Sequence, residues 1–108
     1  MKDKIEVGEY IRTKYGTIAK VINPKYYMEL YIECEGELIP KEIIKKHSFN
    51  LIDLIEEGDY VNGKEIIELK NYNKKLYLMT EYVPQNYIKG DIKSIVTKEQ
   101  FKIVECKV

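Results

Sequence analysis

The chain has no tryptophan, two phenylalanines, one histidine and two cysteines, and its 18 basic side chains are cancelled by 18 acidic ones. Each shortage removes a class of function. A structural zinc site takes about four ligands, and Cys34, Cys106 and His47 supply three residues with no ligand spacing among them. No metal and no cofactor is therefore expected. Both cysteines end stretches that alternate apolar and polar, which reads as small core residues rather than a disulfide in a cytosolic protein. A zero net charge with no basic block disfavours general nucleic-acid affinity, which draws on phosphate neutralisation by a basic surface. No run approaches the roughly 18 apolar residues of a membrane span. The charged start Met1-Lys2-Asp3-Lys4 leaves no room for a signal peptide's apolar segment, so the expected location is the cytoplasm of the cell that makes the protein.

Catalytic groupings are equally scarce. Ser48 follows His47 directly, but neighbours on a strand point to opposite faces, so the pair is not the start of a triad. A structural or surface role is the reading for His47. The carboxylates are spread evenly among lysines, as on a solvated face. Glycines 8, 16, 36, 58, 63 and 90 stand singly at turn positions and form no phosphate-cradling loop. An enzyme is not expected.

What the chain does have is a repeat. Ile5-Glu6-Val7-Gly8-Glu9-Tyr10-Ile11 returns fifty positions later as Ile55-Glu56-Glu57-Gly58-Asp59-Tyr60-Val61. A second echo relates Ser48 and Leu51-Ile52-Asp53-Leu54-Ile55-Glu56 to Thr97 and Gln100-Phe101-Lys102-Ile103-Val104-Glu105. A period near fifty residues sets the architecture: two units, 1–57 and 58–108, each too small to bury much surface alone.

Alternation of period two dominates both units. In the first, residues 9–14 and 17–23 read as strands joined across Tyr15-Gly16. Asn23-Pro24 reads as the turn into a third strand, 26–34, with Met28, Leu30, Ile32 and Cys34 on its core face and Tyr27, Glu29, Tyr31 and Glu33 on the other. A loop at 34–37 leads to a fourth strand, 42–47, and Ser48 and Asn50 cap a helical turn through 51–55. In the second unit, residues 59–61 and 64–69 flank Asn62-Gly63, a strong hairpin signal because a type I′ turn needs positive φ at both central residues. Further strands are expected at 76–81, 91–96 and 102–108, with turns at 71–73 and a proline-containing loop at 82–87. Thr97-Lys98-Glu99-Gln100 has the form of a capping box.

The order of four strands, one helical turn and a fifth strand resembles an SH3-like small barrel, and residues 8–21 resemble the opening hairpin of KOW-type barrels. The expected fold is all-β, as two tandem SH3-like barrels or one interlocked β-structure, with a single helical turn before the last strand of each unit. The first unit fits less well, since its fifth strand would have to come from 51–57.

Ten tyrosines are the compositional oddity. Tyrosine is an ordinary strand residue; it is also a large, rigid contact residue enriched at interfaces. Tyr15, Tyr27, Glu29, Tyr31, Glu33 and Tyr72 form the candidate partner-binding set, and the alternation of Tyr27 and Tyr31 with Glu29 and Glu33 suits a basic protein surface better than a phosphate backbone. Tyr82, Tyr87, Lys89 and Lys93 form a second candidate set, for a small anionic ligand.

Residues 47–63 and 92–101 resemble segments of small uncharacterised proteins encoded by phages and prophages of low-GC Gram-positive bacteria, clostridia especially. The resemblance implies a non-enzymatic accessory protein that inhibits a host or anti-phage defence protein, in the manner of an anti-CRISPR, by direct contact. The alternatives are a sponge for a nucleotide signal, built on the second candidate set, and a KOW-like nucleic-acid-binding module.

Overall fold

The computed structural model describes residues 4–80 and 87–101. The fold is mostly β, built from antiparallel sheets. The chain divides into two compact units, Met1–Leu54 and Ile55–Val108. No helix among the described residues is long and apolar enough to cross a membrane.

The first unit contains β1 (Tyr10–Thr13), β2 (Ile18–Tyr26), β3 (Tyr31–Cys34), β4 (Glu37–Pro40) and β5 (Ile44–Ser48), with one 3₁₀ turn at Lys41–Ile43 and another at Leu51–Leu54. The strands are ordered β4-β3-β2-β1-β5. The long β2 joins the two halves of this sheet, pairing with β1 through residues 18–20 and with β3 from Val21 onward. The first unit thus runs as four strands, a 3₁₀ turn and a fifth strand, the element order expected. The 51–57 segment contributes no fifth strand. That place is taken by Ile44–Ser48, because the stretch expected as a loop instead makes a hairpin at Glu35-Gly36 and adds Glu37–Pro40 as β4.

The third strand also departs from expectation. Asn23-Pro24 does not turn the chain; the proline, which has no N–H to give a ladder, sits within register shifts of β2 between Val21 and Tyr26. The strand continues to Tyr26, and residues 27–30 make the turn. Ile32 and Cys34 join Ile11, Val21 and Ile39 in the core as alternation requires, whereas Met28 and Leu30, expected beside them, are exposed.

The second unit contains β6 (Tyr60–Val61), β7 (Lys64–Glu65), β8 (Glu68–Tyr72), β9 (Lys75–Met79) and β10 (Ile95–Val96). Asn62 and Gly63 both have positive φ, 53° and 81°, as the expected hairpin demands. The next hairpin turns at Asn73-Lys74, also both positive, so Asn71 and Tyr72 belong to β8. Of the strand expected at 91–96 only Ile95–Val96 forms, pairing with β6 as β5 pairs with β1. A helical turn over residues 98–101 follows, and its capping box is complete: the Gln100 amide donates to Thr97 Oγ1 and the Thr97 amide to Gln100 Oε1. Residues 102–108, including Cys106, and most of the loop with Tyr82 lie outside the described residues.

The sequence repeat is a repeat of hydrogen bonds. Gly8 and Gly58 share a left-handed backbone, φ 92° and 96°. The Gly8 amide donates to the Val21 carbonyl (3.0 Å) and the Gly58 amide to that of Ile66 (2.8 Å); in return Val21 and Ile66 donate to the carbonyls of Glu9 and Asp59, both at 2.8 Å. The acidic residue after each glycine is buried and folds back on its own turn. Glu9 Oε2 accepts from the Glu6 amide, and Asp59 Oδ2 from the Glu56 amide, each at 2.7 Å. The other carboxylate oxygen reaches the residues that complete the unit: Glu9 Oε1 bonds His47 Nδ1 of β5, and Asp59 Oδ1 accepts from the Lys98 amide, each at 2.9 Å.

Asp59 accepts two backbone N–H bonds, and hydrogen bonds to a carboxylate contribute about 1.5–3 kcal/mol each. Asp59→Ala is expected to lower stability by about 3 kcal/mol in urea unfolding, with accelerated hydrogen exchange at the Glu56 and Lys98 amides; unchanged exchange there would refute the role. Burial, aided by the neighbouring Glu37 charge, raises the Cys34 thiol pKa from 9.0 to about 11. Between those values the unfolded chain loses this proton and the folded chain keeps it, so the contribution is whole below pH 9 and is lost as pH rises toward 11. A thiol reagent at pH 8 should therefore leave Cys34 unmodified in the folded protein and modify it in urea.

Candidate functional site

Residues 27–30, between β2 and β3, are unlike any other turn in the described chain. Three successive non-glycine residues have left-handed backbone: Tyr27 at φ 49°, Met28 at 57° and Glu29 at 64°. For an L-residue with a Cβ this region costs roughly 1–2 kcal/mol, and none of the three is the Asn or Gly that usually occupies it. Burial does not offset the cost, since Met28 is 83% and Tyr27 66% exposed, and Leu30 beside them is 58% exposed. The turn is closed by the Leu30 amide donating to the Tyr27 carbonyl at 3.1 Å, and it is tied to the chain after β4 by the Lys41 amide, which donates to Leu30 O at 3.0 Å. Tyr31, half-buried at the start of β3, meets Tyr27 edge to face with ring centroids 6.2 Å apart and planes at 71°. This arrangement is favourable for the ring quadrupoles and holds the exposed ring from one side.

Tyr27, Glu29 and Tyr31 are thus brought together, but at a hairpin tip rather than on one strand face. Glu29 is exposed and pairs with Lys25 at 3.8 Å, a separation at which exposed pairs contribute little. Glu33 is half-buried within β3. Tyr15 is exposed in the β1–β2 turn at the far end of β2 from this tip, with Lys14 Nζ 5.5 Å from its ring centroid. Tyr72 is exposed at the last position of β8, in the second unit.

In the other candidate set, Lys89 and Lys93 line an open hollow of about 620 Å3 with Asn62, Gly90, Asp91 and Ser94. Asn62 builds its wall: Oδ1 accepts from the Lys93 and Ser94 amides at 2.7 and 3.1 Å, and Nδ2 donates to the Asp91 carbonyl at 3.1 Å. The sequence marked Asn62 only as a turn residue, because a side chain's bonds to residues thirty positions away leave no local pattern. Tyr87 does not line this hollow. It bridges to Met79, packs edge to face on Tyr77 with centroids 5.0 Å apart, and carries Lys89 Nζ 5.3 Å from its ring centroid.

The chain's single arginine, Arg12, is wholly buried, with Nη1 donating to the Leu54 carbonyl at 2.9 Å. It anchors the end of the first unit and belongs to the scaffold. Among the described residues, no three His, Cys, Asp or Glu side chains gather as metal ligands. No family model, curated protein or solved structure matches this chain.

A direct test of the strained tip is Met28→Gly. Glycine adopts the left-handed region without the Cβ penalty but loses about 0.5–1 kcal/mol of unfolded-state entropy. Stability should hold or rise by up to about 1 kcal/mol in thermal and urea unfolding; a loss of 2 kcal/mol or more would show that the Met28 side chain packs.

Proposed function

We propose that the protein is a non-enzymatic binding protein that inhibits a host or anti-phage defence protein by direct contact, with the 27–30 tip as its principal contact. The observation that carries this reading is the run of three left-handed residues presenting Tyr27, Met28 and Leu30 to solvent. Backbone strain that no core packing repays is a feature of ligand clamps and binding loops. Tyrosine and methionine are enriched at the buried centres of protein interfaces. The origin among phage-type accessory proteins rests on the resemblance of residues 47–63 and 92–101, and the bacterial cytoplasm as the site of action rests on the same ground.

The geometry revises the chemistry of the partner. Glu29 has Lys25 beside it and Glu33 is half-buried, so the tip offers an apolar, aromatic knob rather than an acidic face. A hydrophobic pocket on the partner, able to take the Met28 and Tyr27 side chains, is the complementary surface. Truncating a residue at the centre of such a contact costs about 2 kcal/mol or more.

The test is affinity capture from a clostridial lysate with tagged wild-type protein and with Tyr27→Ser/Met28→Gly, followed by assay of the captured protein's activity. One stoichiometric protein retained by the wild type, lost at least about 30-fold by the variant and inhibited on binding is the expected result. Equal capture by both forms, with the variant's fold verified by its melting curve, would remove the tip from the function.

A further inference from the structure

Although the net charge is zero, the fold of the first unit gathers lysines on one cleft of about 510 Å3, whose lining carries five lysines and one carboxylate, that of Glu29, which pairs with Lys25. They come from separate parts of the chain: Lys4 before β1, Lys25 near the end of β2, Lys41 in the 3₁₀ turn, and Lys45 and Lys46 in β5. Successive strand residues should face opposite ways, yet Ile44, Lys45, Lys46 and His47 all border this cleft. The pairing of β5 with β1 accounts for Lys45 among them. Arg12 is opposite Lys46 and Thr13 is opposite Ile44, so Lys45 is an extra, bulged residue. A bulge re-aims side chains, here on the strand that ends the sheet.

Edge-strand lysines also discourage edge-to-edge aggregation. That purpose would account for Lys45 and Lys46, but not for Lys4, Lys25 and Lys41 converging on the same cavity from other elements. His47 is positioned as well as included, its Nδ1 lying 2.9 Å from Glu9 Oε1. The opposite ring nitrogen, Nε2, is left on the far side of the ring from Glu9. Ile5, Pro24 and Ile44 supply the apolar part of the wall.

We infer that this cleft binds a compact, multiply charged phosphate anion. Its size is that of a small-molecule pocket, and like charges concentrated on a concave surface focus the field and raise the local concentration of an anion. A finite cleft suits a free nucleotide or an inorganic polyphosphate, whereas a nucleic-acid strand would need a continuing basic track. The inference does not rest on the proposed protein partner: of the 27–30 tip only Glu29 lines the cleft, and Tyr27 and Met28 do not.

The test is calorimetric titration of the full-length protein with inorganic triphosphate, with ATP, and with a 20-nucleotide RNA. Saturable one-site binding of triphosphate or ATP is expected, weakened about tenfold or more in Lys41→Glu/Lys45→Glu, two exposed positions where reversal removes four units of charge difference. Lys64→Glu/Lys70→Glu, which makes the same change of net charge at exposed sites of the second unit, should bind as the wild type does. ATP binding more tightly than triphosphate would assign the apolar wall to the base, and equal affinities would assign recognition to the phosphates alone. No binding of either anion, or equal weakening by both double variants with circular dichroism verifying the folds, would overturn the inference. So would RNA binding tighter than both anions and rising with RNA length.

Discussion

A buried carboxylate at the entrance of each unit holds its opening turn and its closing segment together. In the first unit Glu9 takes the amide of Glu6 on one oxygen and His47 on the other; in the second Asp59 takes the amides of Glu56 and Lys98. The glycine before each carboxylate is part of the same device. Its left-handed backbone turns the chain so that the acid points inward, and at Gly58 an added Cβ would also meet Lys98 Cβ at 3.4 Å. Once the acid is inside, it must find donors, because an uncompensated buried charge costs several kcal/mol. The fold supplies backbone N–H groups and one imidazole from opposite ends of the unit's sequence.

This arrangement explains why the repeat was plain in the sequence while its surroundings were not. Gly-Glu-Tyr and Gly-Asp-Tyr are local patterns with fixed spacing, and so are the Asn62-Gly63 hairpin and the Thr97–Gln100 capping box; each names its own geometry through φ or through a side chain bonded three residues away. The third strand of the first unit departs from its local pattern for the converse reason. Asn23-Pro24 carries the strongest turn signal of its neighbourhood but occupies an irregular stretch of β2, whereas the true turn uses Tyr27, Met28 and Glu29, which carry no such signal. Alternation in the first unit points to 42–47 as the fourth strand and 51–57 as the source of a fifth, where the chain forms Glu37–Pro40 as β4 and Ile44–Ser48 as β5.

The candidate sites divide along the same line. Tyrosine surplus is countable, and Tyr27 and Tyr31 do lie side by side, yet the parity of Met28, the most exposed side chain of the tip, points to the core. The lysine cleft could not be read at all. Its members span positions 4 to 46, two of them come onto one surface through a bulge that one-residue slippage of the β1–β5 register creates, and a zero net charge conceals the local excess.

The two units part company one residue beyond their shared opening. At the position where the first unit has Arg12, buried and bonded to the Leu54 carbonyl, the second has Asn62, which turns a hairpin and holds the 91–94 segment through its side-chain amide. Duplicated modules that spend one equivalent position on such different long-range ties have ceased to be interchangeable there. The seven residues before it are the part the two units share, and even there the acid differs in reach: the longer Glu9 meets a side chain of β5, the shorter Asp59 a backbone amide.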